Sequence, residues 1–205
     1  MKHINFYLDF ISPYAYLAFE KLPEALLGCS YSVRYQPILF AGLLKHHGHK
    51  GPAEIAPKRD WTYRKVLWLA RQSGVALQLP TRHPFNPLAL LRLALACGEG
   101  GSANRYVCEA LFRHVWLGGG DAEDGPRLQA LSAQLMPARD VTGDPVKREL
   151  KANTDAALAK GIFGVPTFEL DGRLFWGLDA LPMLRAYLDG DAWFDQNWDT
   201  VAQVR

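Results

Sequence analysis

Cysteine is scarce in this 205-residue chain and poorly placed for redox work. Its three thiols, Cys29, Cys97 and Cys108, form no Cys-x-x-Cys pair, and an odd count argues against a disulfide framework. A reduced, cytosolic setting is expected, with the thiols serving as buried small hydrophobes. Charge of one sign is lacking too: 23 Lys and Arg face 21 Asp and Glu, for a net +2 and a pI near 8.4. That balance removes the electrostatic case for nucleic acid or an anionic membrane as partner. Long apolar runs are missing. The most apolar helical stretch, 87–97, is too short for a membrane span and carries Arg92. Asp9 breaks the apolar start and no small-residue cleavage site follows, so a secretory signal is not expected. There is no repeat and no low-complexity linker. What the chain does have is 49% hydrophobic residues, enough for one ordinary globular core or two small lobes.

The apolar pattern changes period along the chain. Residues 3–10 are β-rich and stop at Ser12-Pro13, a strand signal. Apolar positions at helical spacing then run over 13–27 and close at Gly28. Residues 31–35 alternate and end at Pro37, a second strand. An intervening helix predicts that the two strands lie parallel. From about 40 to 160 the residues favour helix, with segments predicted at 58–73, 87–96, 103–115, 126–134 and 144–159. The β signal returns after Gly164: 167–170, a turn at Asp171-Gly172, and 173–176 read as a hairpin. A last helix is predicted from Asp179 to about 189. The order is β-α-β, a helical block, then α-β-β-α.

Three short segments carry the chemistry. Ser is a preferred N-cap and Pro a preferred first helical residue, so Ser12-Pro13 reads first as a helix start. A helix start at the end of a strand also presents unpaired N–H groups and partial positive charge, which stabilise an anion such as a thiolate, and a hydroxyl there can donate to it. Pro166 by itself is a strand-entry proline, and Asp179 by itself a helix N-cap. Lys58 by itself is a solvated lysine, and Asn86 a turn former. His46, His47 and His49 have no Cys or acidic partner at ligand spacing, so no metal site is expected.

Phe6-Tyr7-Leu8-Asp9-Phe10-Ile11-Ser12-Pro13-Tyr14-Ala15-Tyr16-Leu17 resembles the N-terminal signature of 2-hydroxychromene-2-carboxylate isomerases. These group with kappa-class glutathione transferases in the wider disulfide-oxidoreductase superfamily. Gly161 to Phe168 and Phe175 to Leu181 resemble the second and third signatures, in order, so the similarity spans almost the whole chain. The resemblance implies an α/β thioredoxin-like fold with a large all-helical insertion, residues 1–40 and 160–205 forming one discontinuous domain and 41–159 the other.

It also implies glutathione as cofactor, with Ser12 as the catalytic residue at its thiol and a cis proline at Pro166. Val165 would offer main-chain groups to the cysteinyl part. Asp179 and the Leu178 N–H would receive the γ-glutamyl end, and Lys58, in an active-site lid, would also bind glutathione. His49 and Leu178 replace the polar residues that relatives carry. Asn86 matches an asparagine near the organic substrate. Apart from the resemblance, Trp61, Tyr63, Trp68, Trp116 and Trp176 are candidates to line an aromatic pocket, with Trp116 and Trp176 as the substrate contacts, although aromatics at helical spacing are more often core. The implied function is cis–trans isomerisation of 2-hydroxychromene-2-carboxylate or a related aromatic keto-acid, by a cytoplasmic homodimer. Rivals are a kappa-type transferase and a non-catalytic glutathione-binding protein. A dithiol oxidoreductase is excluded, because Ser12, Tyr14 and Ala15 leave no cysteine pair to cycle.

Overall fold

A computed structural model describes residues 1–203; the last two positions of the 160–205 segment lie outside it. Strand β1 (Lys2–Leu8) pairs in parallel with β2 (Tyr31–Pro37), as the intervening helix α1 (Pro13–Ala25) requires. Strand β3 (Thr167–Leu170) pairs antiparallel with β1, and β4 (Arg173–Trp176) antiparallel with β3. The sheet order is β2-β1-β3-β4, the mixed sheet of a thioredoxin-like α/β fold. Its register places the C-terminal end of β1, the start of β3 and the end of β4 side by side, with Tyr7 opposite Thr167 and Thr167 opposite Trp176.

Between β2 and β3 the chain is helical: α2 (Phe40–His46), α3 (Ala56–Gln72), α4 (Leu88–Ala96), α5 (Arg105–Trp116), α6 (Gly125–Leu135) and α7 (Asp144–Ala159). After β4 come a short 3-10 turn (Leu178–Ala180), α8 (Leu181–Leu188) and α9 (Trp193–Asn197). The expected helix from Asp179 is thus a 3-10 turn running into α8. Asp179 sits inside that turn, and Gly177 takes the cap position.

Alternation along β1 sorts its side chains to two faces. Ile4, Phe6 and Leu8 join the main core with α1, α4 and α5, whereas Tyr7 joins a smaller cluster with Ile38, Leu43, Ala157, Ile162 and Val165. The main core is rich in aromatics: Phe6, Phe10, Phe19, Phe112, Phe168 and Phe175 are all buried. Each such ring stabilises the fold by about 1.5–3 kcal/mol relative to exposure. Of the three cysteines, only Cys108 is fully buried. Cys29 and Cys97 are half-exposed, because they fall at a turn and at the end of α4 rather than inside an element. Among the described residues, no helix is long and apolar enough to cross a membrane.

Candidate active site

Ser12 caps α1 as its sequence position predicts. The Ala15 N–H donates to its Oγ at 3.2 Å, and Pro13 fills the first helical position. The hydroxyl is nearly buried and turns its own hydrogen toward the Val165 carbonyl, 3.4 Å away. The Val165–Pro166 peptide is cis. Two segments 153 residues apart therefore meet at the mouth of α1. The long Ser12–Val165 bond leaves the hydroxyl easily diverted to a better acceptor. Among the described residues the Val165 N–H has no acceptor, and an unpaired main-chain donor is what an extended peptide pairs with.

The rest of the site follows from the sheet. The Gly177 N–H donates to the Pro166 carbonyl at 2.9 Å, which brings the 3-10 turn carrying Leu178 and Asp179 beside the cis peptide. Tyr14 connects that turn to α1: burial first, and then the Asp179 carboxylate, push its phenol above the usual tyrosine range. Helix α3 reaches the same end of the molecule, with Lys65 5.9 Å over the Tyr14 ring. On the other face, the loop leading to Val165 is tethered at its start. Lys160 pairs with Glu169 at 2.7 Å, and Glu169 accepts from Tyr7 at 2.6 Å. Trp176 covers Gly164 so closely that a Cβ there would lie 2.6 Å from its indole nitrogen, and Phe163 packs against the same ring at a tilt, centroids 4.8 Å apart.

Beneath Ser12 the chain turns through residues 9–12. Asp9 has no exposed surface. Its carboxylate accepts from the Ile11 N–H at 3.1 Å and the Phe40 N–H at 2.9 Å, so it holds both the turn and the start of α2. Burial dominates these bonds and raises its pKa to about 7. The Phe10 carbonyl is held by the Trp116 indole at 2.9 Å and the Ile11 carbonyl by His83 Nε2 at 2.8 Å.

A family model of the DSBA-like thioredoxin domain matches residues 3–189. The chain belongs to that family. Within it, the chain is 27% identical over 203 residues to the 2-hydroxychromene-2-carboxylate isomerase of Sphingobium xenophagum, covering 91% of this chain and 98% of that protein. It is 24% identical over 210 residues to the rat (Rattus norvegicus) glutathione S-transferase kappa 1, covering 93% and 92%. A solved 2-hydroxychromene-2-carboxylate isomerase superposes with a TM-score of 0.80 over 96% of this chain and 99% of that one; at 22% identity this shows the shared fold.

The sequence candidates divide in this geometry. Ser12, Val165, Pro166, Leu178 and Asp179 come together at one end of the sheet. Lys58 is exposed in the first turn of α3. Asn86 is exposed, and its Oδ1 accepts the Leu88 N–H at 3.1 Å, the turn-forming bond that a loop Asn makes. Trp116 has no accessible surface, so it braces the Phe10 carbonyl from behind and offers no face to a substrate. Trp176 is half-exposed at the end of β4. Trp61 and Trp68 are exposed on α3, while Tyr63 is half-buried against His83. Sequence reasoning passed over His83 altogether. No local signal marks it, because its partners lie 20 and 72 residues away.

Proposed function

We propose that this chain is a glutathione-dependent cis–trans isomerase of 2-hydroxychromene-2-carboxylate or a related aromatic keto-acid. The observation that carries the reading is the Ser12 hydroxyl, which caps α1 by accepting from the Ala15 N–H and donates to the Val165 carbonyl, set against the cis Val165–Pro166 peptide with its unpaired Val165 N–H. These residues fit glutathione: the Val165 edge suits the cysteinyl peptide and Ser12 its sulfur, while Leu178 N–H and Asp179 suit the α-carboxylate and ammonium of the γ-glutamyl end. When bound, glutathione supplies a thiolate that adds reversibly to the conjugated keto-acid, so that a double bond becomes free to rotate.

The protein's part is electrostatic and positional. Ser12 donates to the sulfur in place of the Val165 carbonyl, and the α1 N-terminus adds its partial positive charge, which together favour the anionic form. Its oxygen stays engaged with the Ala15 N–H, so the hydroxyl hydrogen is the part free to turn outward. Lys58, Asn86 and Trp176 orient the aromatic substrate, with Lys58 or Asn86 taking its carboxylate or phenol. The same reading carries a cytoplasmic homodimer with small-molecule partners. The likeness to kappa transferases makes conjugation of electrophiles the second reading, with the same thiolate.

Ser12→Ala, titrated with glutathione and followed by thiolate absorbance, is expected to raise the bound-thiol pKa by about one to two units, since a hydrogen bond to a charged group contributes about 1.5–3 kcal/mol. Isomerase turnover is expected to fall at least about tenfold. Unchanged turnover at neutral pH would remove Ser12 from the reaction. Chlorodinitrobenzene conjugation without chromene isomerisation would move the function to transferase.

A further inference from the structure

Ser12 does not set its own direction. The peptide joining Ile11 to Ser12 is held at both edges: its N–H donates to the Asp9 carbonyl at 3.1 Å, and its C=O faces His83 Nε2 at 2.8 Å. The first restraint lies inside the turn and the second comes from the loop before α4. A carbonyl only accepts, so Nε2 of His83 must carry hydrogen. The opposite nitrogen, Nδ1, lies 2.8 Å from the Tyr63 hydroxyl of α3. In the neutral ring that nitrogen accepts, so Tyr63 donates. Burial lowers the His83 pKa and raises that of Tyr63, which keeps both groups uncharged at neutral pH. The imidazole is packed by Trp116, centroids 5.4 Å apart, and by Phe85 at 5.9 Å. Trp116 in turn holds the Phe10 carbonyl, so consecutive carbonyls of the turn are fixed by two touching rings. An apolar side chain could fill this space. It could not hold the Ile11 carbonyl.

We propose that His83 is a positioning residue that aims the Ser12 hydroxyl through the Ile11 carbonyl, with Tyr63 of α3 fixing the other ring nitrogen. Helix α3 and the thiol-binding serine are then mechanically one unit. The thiol-binding part of this inference rests on the glutathione reading above; the ring geometry does not.

The test uses the full-length protein and the variants His83→Leu, His83→Gln and Tyr63→Phe. Gln carries a side-chain amide donor that can reach the Ile11 carbonyl. Three readouts apply: the pKa of bound glutathione by thiolate absorbance, affinity for S-methylglutathione (which has no thiol), and kcat and KM for the chromene substrate. His83→Leu is expected to raise the bound-thiol pKa by about one unit and lower kcat about tenfold. Its KM and S-methylglutathione affinity should stay near wild type, and His83→Gln should restore most of the loss. A bound-thiol pKa in His83→Leu equal to wild type overturns the proposal, as does His83→Gln behaving like His83→Leu. If His83→Leu does not fold, His83→Gln and Tyr63→Phe carry the test. The glutathione-free protein gives a separate readout, the long-range proton–nitrogen NMR spectrum of His83. An Nε2–H ring with a bare Nδ1, whose nitrogen shift moves in Tyr63→Phe, supports the geometry, and an Nδ1–H ring overturns it. Wild-type protein that shows this tautomer but binds no glutathione would sink the cofactor reading and with it the role at the thiol, leaving the bracing of the turn in place.

Discussion

Asp9 shows how one side chain can serve position at a cost in stability. Its carboxylate ties Ile11 and Phe40 together, yet burial raises its pKa from 3.8 to about 7. A carboxyl whose folded pKa lies above its unfolded value binds more protons when folded, so its contribution to stability is full at low pH and is lost as pH rises. The loss runs from about pH 4 to about pH 7 and is complete above that window. Wild-type unfolding free energy is therefore expected to carry a negative pH dependence there that Asp9→Asn lacks. His83 and His114, whose folded pKa values are lowered, act in the opposite sense near their own ordinary range, so the comparison must be the difference between wild type and variant. Urea unfolding of both proteins at pH 5 and pH 8 measures it. An identical pH dependence in the two would show that Asp9 titrates normally. In the sequence Asp9 only interrupts an apolar run, because the second N–H it accepts, that of Phe40, lies 31 residues on.

Helices and strands with strong internal signals were legible. The hairpin 167–176 and helix α7 at 144–159 form where period and turn chemistry predict them. Helices α2 and α9 were not, and the reason is local weakness. They have 7 and 5 residues, too short for a periodic stripe, and neither has a side-chain N-cap at its own Ncap residue. Helix α2 instead receives its carboxylate from Asp9, a tertiary substitute for a local cap. The approach of β4 to the loop before β3 is equally invisible in sequence. Gly164 sits where a Cβ would strike the Trp176 indole, so Gly164→Ala should cost about 1–3 kcal/mol through overpacking. The same substitution in a Trp176→Ala background should cost clearly less, and a double-mutant cycle by urea unfolding reads the difference. Equal costs in the two backgrounds would mean that Trp176 is not the obstacle.

A ligand that binds the folded chain alone stabilises all of it. Glutathione at about 100 times its dissociation constant should raise the unfolding free energy by about 2.7 kcal/mol. At the same concentration S-methylglutathione should stabilise less, because it cannot present a thiolate to Ser12. Differential scanning calorimetry with each tripeptide measures this, and equal shifts would place the sulfur away from the helix mouth. The succession of strands and helices, the serine cap, the proline entry to β3 and the absence of a cysteine pair follow from residue type and spacing along a line, since capping and periodicity act between neighbours a few positions apart. Trp116 reads as a pocket aromatic in that line and is a buried brace in the fold, and His83 does not read as anything. Packing a helical block onto a sheet sets which side chains meet, and besides Asp9 itself the groups that hold the Asp9–Ser12 turn come from α2, α5 and the loop before α4. Hydrogen bonds across such distances are fixed by the whole arrangement of apolar surfaces, and no short stretch of chain encodes them.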